Sequence, residues 1–216
     1  IFLGYAKPSS GPVPAYDTTF YEPGVTAYPF DVAKANALLD EAGYAKDASG
    51  IRFRLKLLPA PFFNETKQFG DYLRQALAAV GIDAEIVAND TPAHLKAVYT
   101  DHDFDITVAT PVYRSDPAIS TTVLFQSGLP DGVPFSNQYG YANPAVDDLI
   151  ARAASTVDDA ERAKLYKEFQ KTVVADLPLI NVAEFSFITV ARDSVQNVSN
   201  NPRWAVSSWA DTWLQQ

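Results

Sequence analysis

The chain has 216 residues, 47% of them hydrophobic and 20% charged, which suits a globular protein with a sizeable core. Its formal charge is −9 with the basic residues scattered singly, so no basic stripe exists to hold a nucleic acid. There is no Cys, which excludes disulfides and thiolate metal sites, and no apolar run is long enough for a membrane-crossing helix. Met is absent too, so the chain is expected to start inside a longer protein or after processing, with any export signal upstream.

Residues 1–28 are rich in Pro, Gly, Ser and Tyr, and their aromatics Tyr16, Phe20 and Tyr21 call for an ordered, packed loop. Asp31 then opens a helix as N-cap, because its carboxylate can accept from free first-turn amides. Val32, Ala35, Leu38, Leu39 and Ala42 share one face, and Gly43 stops the helix. Residues 51–58 alternate, with Ile51, Phe53, Leu55 and Leu57 on one side and Arg52, Arg54 and Lys56 on the other, as in a strand with one buried face. A helix follows from about Glu65 to Gly81, with Phe69, Leu73, Ala76, Leu77 and Val80 inward. Ile82, Ala84, Ile86 and Ala88 alternate again, so this strand–helix–strand unit predicts two parallel strands.

Asp90 or Thr91 with Pro92 starts a short helix reaching about Tyr99, and residues 104–109 read as a buried strand. Residues 110–141 are irregular, with one helix after Pro117. Asn143 and Pro144 start a helix bearing Val146, Leu149, Ile150 and Ala153, and Asp158 or Asp159 caps a longer one bearing Leu165, Tyr166, Phe169 and Val173. Leu38, Leu73, Leu77, Leu149 and Phe169 are expected in one shared core. Residues 177–190 read as two β segments, and the tail carries Trp204, Trp209 and Trp213. The class is α/β with irregular insertions.

Enzyme signals are weak. His94 and His102 are the only histidines, lack metal-ligand spacing and read as surface residues. There is no nucleophile elbow and no phosphate-cradling glycine loop, so no cofactor is called for. Asp147–Asp148 and Asp158–Asp159 stand in helix first turns, where they complement the dipole. Topology points elsewhere: in open α/β sheets, ligands lie beyond the carboxyl ends of the strands. Two segments follow strands in this way, 59–64 with Phe62 and Phe63, and 110–117 with Tyr113, Arg114 and Asp116. Each mixes rigid Pro with aromatic or charged tips, suited to a preformed pocket. One of Phe62 and Phe63 is expected to face ligand and the other the core. Asp116, before Pro117, is also a strong helix-cap candidate.

Several segments share a family pattern in order and spacing. They include Phe30-Asp31-Val32-Ala33-Lys34-Ala35 with Leu38-Leu39-Asp40-Glu41-Ala42-Gly43-Tyr44, then Leu73-Arg74-Gln75-Ala76-Leu77 with Val80-Gly81-Ile82. Phe104-Asp105-Ile106, Ser115-Asp116-Pro117, Tyr139-Gly140-Tyr141-Ala142-Asn143-Pro144 and Leu165-Tyr166 follow. In these the chain resembles family 5 extracellular solute-binding proteins, which include dipeptide-, oligopeptide- and nickel-binding proteins of ABC importers.

The resemblance implies one lobe of a two-lobed periplasmic-binding-protein-like fold, an open mixed sheet with flanking helices. Residues 1–195 would be the C-terminal ligand-binding lobe, and 196–216 a tail returning to the N-terminal lobe. It further implies a binder in place of an enzyme, a periplasmic or extracytoplasmic location, and delivery of a peptide or related solute to an ABC permease. An opine, sugar or metal-chelate binder of the same family is the alternative, and an α/β hydrolase the rival from another class. In the peptide binders, an Asp three positions before the Asp-Pro pair holds the peptide ammonium; here that position is Tyr113. A phenol beside Arg114 implies an anionic or polyhydroxylated solute, such as an opine or sugar acid.

Overall fold

A computed structural model describes residues 1–186, 188, 190–198 and 208–215. In chain order the elements are β1 (Ala6–Pro8), α1 (Val32–Glu41), β2 (Phe53–Pro59), α2 (Asn64–Ala78), β3 (Ile82–Ile86), α3 (Thr91–Tyr99), β4 (Ile106–Val108), α4 (Pro144–Ser155), α5 (Asp159–Asp176), β5 (Ala183–Phe185), β6 (Val195–Gln196) and β7 (Trp213–Leu214). They divide between two compact units, the first drawn from residues 1, 26–111 and 123–148, the second from 2–25, 112–122 and 149–216.

The first unit is built on a three-stranded parallel sheet in the order β3-β2-β4. The predicted strand–helix–strand unit is present, and the apolar run after Phe104 adds β4 on the far side of β2. β2 departs from strict alternation towards its end. Arg54 and Lys56 stay exposed, Arg54 pairing with Asp83 at 3.0 Å and Lys56 with Asp103 at 2.5 Å. Leu57 and Leu58 are both buried, because helices cover both faces there, α3 over Leu58 and α2 over the face of Pro59. Leu58 packs with Val98 and Tyr99 of α3, joined by Val87, Leu95 and Phe104. Gly70 lets α2 approach the end of β2: a Cβ there would overlap Pro59 Cγ and stand 3.2 Å from its Cβ.

Helix α1 starts as expected, with Asp31 accepting from Lys34 N at 2.9 Å, and Gly43 beyond its end has φ +85°. Its amphipathic face is nevertheless unburied: no residue of α1 is buried, and Leu38 is 55% exposed. The helix is held instead by Arg52, whose side chain is 2% exposed. Arg52 Nε donates to Val80 O at 2.8 Å, Nη1 to Asp40 Oδ1 at 2.5 Å and to Tyr44 O, and Nη2 to Asn36 Oδ1 at 3.0 Å.

The second unit packs on α5. Asp158 caps it, accepting from Glu161 N at 2.8 Å, and Leu177 closes it with φ +53°. Ala153, Leu165 and Tyr166 form its core with Phe20 and Leu149 against them, and Phe169 is fully buried. Each unit thus has its own buried residues. The single core expected from Leu38, Leu73, Leu77, Leu149 and Phe169 does not form: Leu38 is exposed, Leu73 and Leu77 are half-buried, and Leu149 and Phe169 belong to the second unit. β1 pairs antiparallel with β5, and β6 with β7, in ladders separate from the parallel sheet. Among the described residues of 177–190, β5 is the one strand, where two β segments were expected. Beyond Pro117 the chain makes two short 3₁₀ turns, Pro117–Ile119 and Thr122–Leu124, in place of a longer helix. Trp204 lies outside the described residues.

Candidate functional site

In the first unit, β2 and β4 run side by side and end together, Pro59 opposite Val108, with Ala60 N donating to Val108 O at 2.8 Å. The loop after β2 therefore leaves from the carboxyl edge of a parallel sheet. Thr66, 3% exposed, fastens this loop by donating to Ala60 O at 2.6 Å and sharing that hydroxyl with Phe63 O at 2.7 Å. Phe63 stands at the cap position of α2 and is half-buried. The Phe62 ring packs edge-on against His94 at 5.7 Å and tilted against Phe135 at 5.9 Å. His94 is no surface residue, as its spacing had suggested. It is 2% exposed, and its Nδ1 has no hydrogen-bond partner. Burial lowers its pKa below the ordinary value.

In the second unit, residues 11–25 are tied to α5 by Gln170, which is fully buried. Its Nε2 donates to Phe20 O at 2.7 Å, and its Oε1 accepts from Glu22 N at 3.3 Å. This anchoring shapes a turn at Asp17, whose Oδ1 accepts from Thr19 N at 3.2 Å and Phe20 N at 3.1 Å. The other oxygen accepts from the Tyr113 hydroxyl at 2.5 Å. Burial, and then the hydrogen bond to Asp17, hold the Tyr113 phenol protonated far above its usual range, so it acts as a donor. Tyr16, 62% exposed, meets the Tyr113 ring edge-on at 6.1 Å. Ala15 N donates to Glu184 Oε2 at 3.0 Å.

Arg114 is exposed and makes no ion pair among the described residues. Asp116 is the N-cap of the 3₁₀ turn, accepting from Ala118 N at 2.8 Å. Arg162 Nη2 donates to both its oxygens, at 2.8 and 2.9 Å, and its guanidinium lies over the rings of Phe20 and Tyr166 at 5.1 and 5.0 Å. The backbone turns sharply just before, with Ser115 at φ +64°. Phe62 and Phe63 thus belong to the first unit, and Tyr113, Arg114 and Asp116 to the second.

Two residues at these loops escaped sequence reasoning. Asp17 lies 96 positions from Tyr113, and only the Tyr16-Asp17 pair in an aromatic loop hinted at it. Phe135 stands among turn residues with no periodicity to flag it. Asp17 thus sets a carboxylate beside the Tyr113 hydroxyl, a negative group that Tyr113 and Arg114 alone did not suggest. A groove of about 440 Å³, lined by His102, Asp105, Asn137, Tyr139 and Tyr141 among others, occurs at the opposite end of the sheet. Asp105 precedes β4, so this is the amino edge, where ligands of open α/β sheets are not found.

The first unit is thus an open parallel α/β sheet with an aromatic loop leaving its carboxyl edge. Residues 1–133 match the family described as bacterial extracellular solute-binding proteins, family 5 middle. The chain belongs to that family, whose members are extracytoplasmic binding proteins and not enzymes. It is 30% identical over 186 residues to the glutathione-binding protein GsiB of Shigella flexneri serotype 5b, a match covering 83% of this chain and 35% of that protein. The periplasmic binding protein DppA of Helicobacter pylori, solved with the peptide STSA, superposes with a TM-score of 0.71 at 25% identity, over 85% of this chain and 34% of that one. HbpA2 of Haemophilus parasuis superposes over 100% of this chain and 41% of its own with a TM-score of 0.77, and at 22% identity it speaks for the fold alone. The chain spans about a third of the length of the curated relatives it matches.

Proposed function

We propose that this chain is the C-terminal ligand-binding lobe of the substrate-binding component of an ABC importer for short peptides or related solutes. Family membership across residues 1–133 carries the reading, and the glutathione- and peptide-binding relatives favour the peptide class. The protein binds and does no chemistry. Solute held between this lobe and an N-terminal lobe of the same protein favours a closed, hinge-bent state, and that state is what the permease receives. Residues 196–216 return to the N-terminal lobe, and the protein works in the periplasm or at the cell surface.

In this reading Phe62, Phe63, Tyr113, Arg114 and Asp116 belong to the solute site in graded ways. Arg114, exposed and without an ion-pair partner among the described residues, is the group for a solute carboxylate. Tyr113 and Asp17 form a hydrogen-bonding edge that suits an ammonium or hydroxyl. Asp116, engaged with Ala118 and Arg162, supports the loop. Tyr113 itself favours a second reading, an opine or sugar binder, since a phenol serves a hydroxylated solute as readily as an amine.

The test is titration calorimetry on the intact protein with a dipeptide panel, an opine and an oligosaccharide, repeated with Arg114→Ala. Peptide binding that weakens by about 2–5 kcal/mol in the variant is the expected result. Binding of the oligosaccharide alone refutes the peptide assignment.

A further inference from the structure

The loop bearing Phe135 is pinned from both ends by Tyr99. Gly132 N donates to Tyr99 O at 2.6 Å, and a backbone hydrogen bond joins Phe135 to the Tyr99 phenol. Ser136 Oγ closes the same turn by donating to Val133 O at 2.7 Å. Phe135 is thereby held at φ +62°, a left-handed conformation that a bulky L-residue adopts only where its surroundings over-determine it. A glycine would sit there without strain.

The strain is not offset by full burial, since Phe135 as a residue remains 57% exposed. What the conformation achieves is placement: the ring contacts Tyr99 at 6.1 Å and Phe62 at 5.9 Å. Phe62 is backed in turn by the buried edge of His94. Exposed phenyl surface is thus preset against Phe62, on the loop that leaves the carboxyl edge of β2, where an open α/β sheet takes its ligand. The backing is uncharged as well, because burial keeps the His94 imidazole neutral.

We propose that Phe135, with Phe62, forms an apolar wall of the solute site and selects for an uncharged aliphatic or aromatic side chain on a peptide. The inference rests on the peptide reading above. Strain, exposure and position in one residue are what a preformed contact surface requires.

The test uses the intact protein, as wild type and as Phe135→Gly, with trialanine and its three single-phenylalanine variants as probes in titration calorimetry. Wild type is expected to bind at least one phenylalanine peptide about tenfold tighter than trialanine. Phe135→Gly should cut that preference to less than about twofold and melt no lower than wild type, because glycine relieves the positive φ. A preference that survives in Phe135→Gly overturns the inference and leaves the peptide reading intact. Equal weakening of all probes with a lowered melting temperature assigns Phe135 a structural role and also overturns it. Failure of wild type to bind any of the four peptides overturns the peptide reading and this inference together.

Discussion

Replacing Arg52 by Met should release α1 from the first unit while leaving the sheet folded. The Arg52 side chain is 2% exposed and bonds Val80 O, Asp40, Tyr44 O and Asn36, whereas α1 buries no residue of its own. Hydrogen bonds from a charged donor are worth about 1.5–3 kcal/mol each, but they are not additive, and the freed carbonyls and Asn36 can turn to water. Asp40 is 63% exposed and rehydrates cheaply, so the loss should fall below that of a fully buried ion pair. About 3 kcal/mol is the resulting figure. The edge-on contact of Tyr44 with Phe53 at 5.1 Å would be the main remaining tether. Hydrogen exchange should show residues 32–41 losing protection while β2, α2 and β3 keep theirs, with urea denaturation reporting the magnitude. Arg52→Lys, which keeps the charge but not the fork, should recover only part of the loss. A change under about 0.5 kcal/mol with α1 protection intact would refute the clip.

Gly70→Ala should cost about 1–3 kcal/mol in urea denaturation, because the new methyl overlaps the Pro59 ring; a neutral result would mean that α2 can lift from β2 without penalty. Asp116→Ala removes a cap and the partner of Arg162, and should lower stability by about 1–3 kcal/mol, most of it retained in Asp116→Asn; a loss of peptide binding without a stability change would instead make Asp116 a direct contact. His94 resists protonation when folded, so between its ordinary value of 6.5 and its lowered folded value the unfolded state binds more protons. Its contribution is therefore complete above pH 6.5 and declines as pH falls through that window; His94→Phe should flatten the slope, and an unchanged stability–pH profile would contradict the buried neutral imidazole.

Local signals in the sequence carried the element starts. Asp31, Asp90 and Asp158 cap α1, α3 and α5, accepting from Lys34, Ala93 and Glu161, because a cap is decided within four residues. The parallel β2–α2–β3 unit was legible for the same reason. What failed was long-range. The spacing of Leu38 and Leu39 says that α1 has an apolar face, but not that anything covers it. Alternation in β2 breaks at Leu57 and Leu58 because α3 covers the second face from about 40 residues away, a contact that no local period records. Of the candidate site, topology reaches the loops of Phe62 and Tyr113, while Asp17 meets Tyr113 only through the anchoring of residues 11–25 by Gln170. Phe135 owes its place to a positive φ at a residue type that does not advertise one.

The decisive measurement is titration calorimetry of short peptides on the intact protein, followed by mass spectrometry of the released solute. One peptide should bind per protein molecule, with a negative heat-capacity change from apolar burial, and should be recovered unchanged after long incubation. Recovery of cleaved or modified peptide, or uptake of none of the peptides by a folded protein, would contradict assignment of this chain to a peptide-binding lobe that delivers its solute intact.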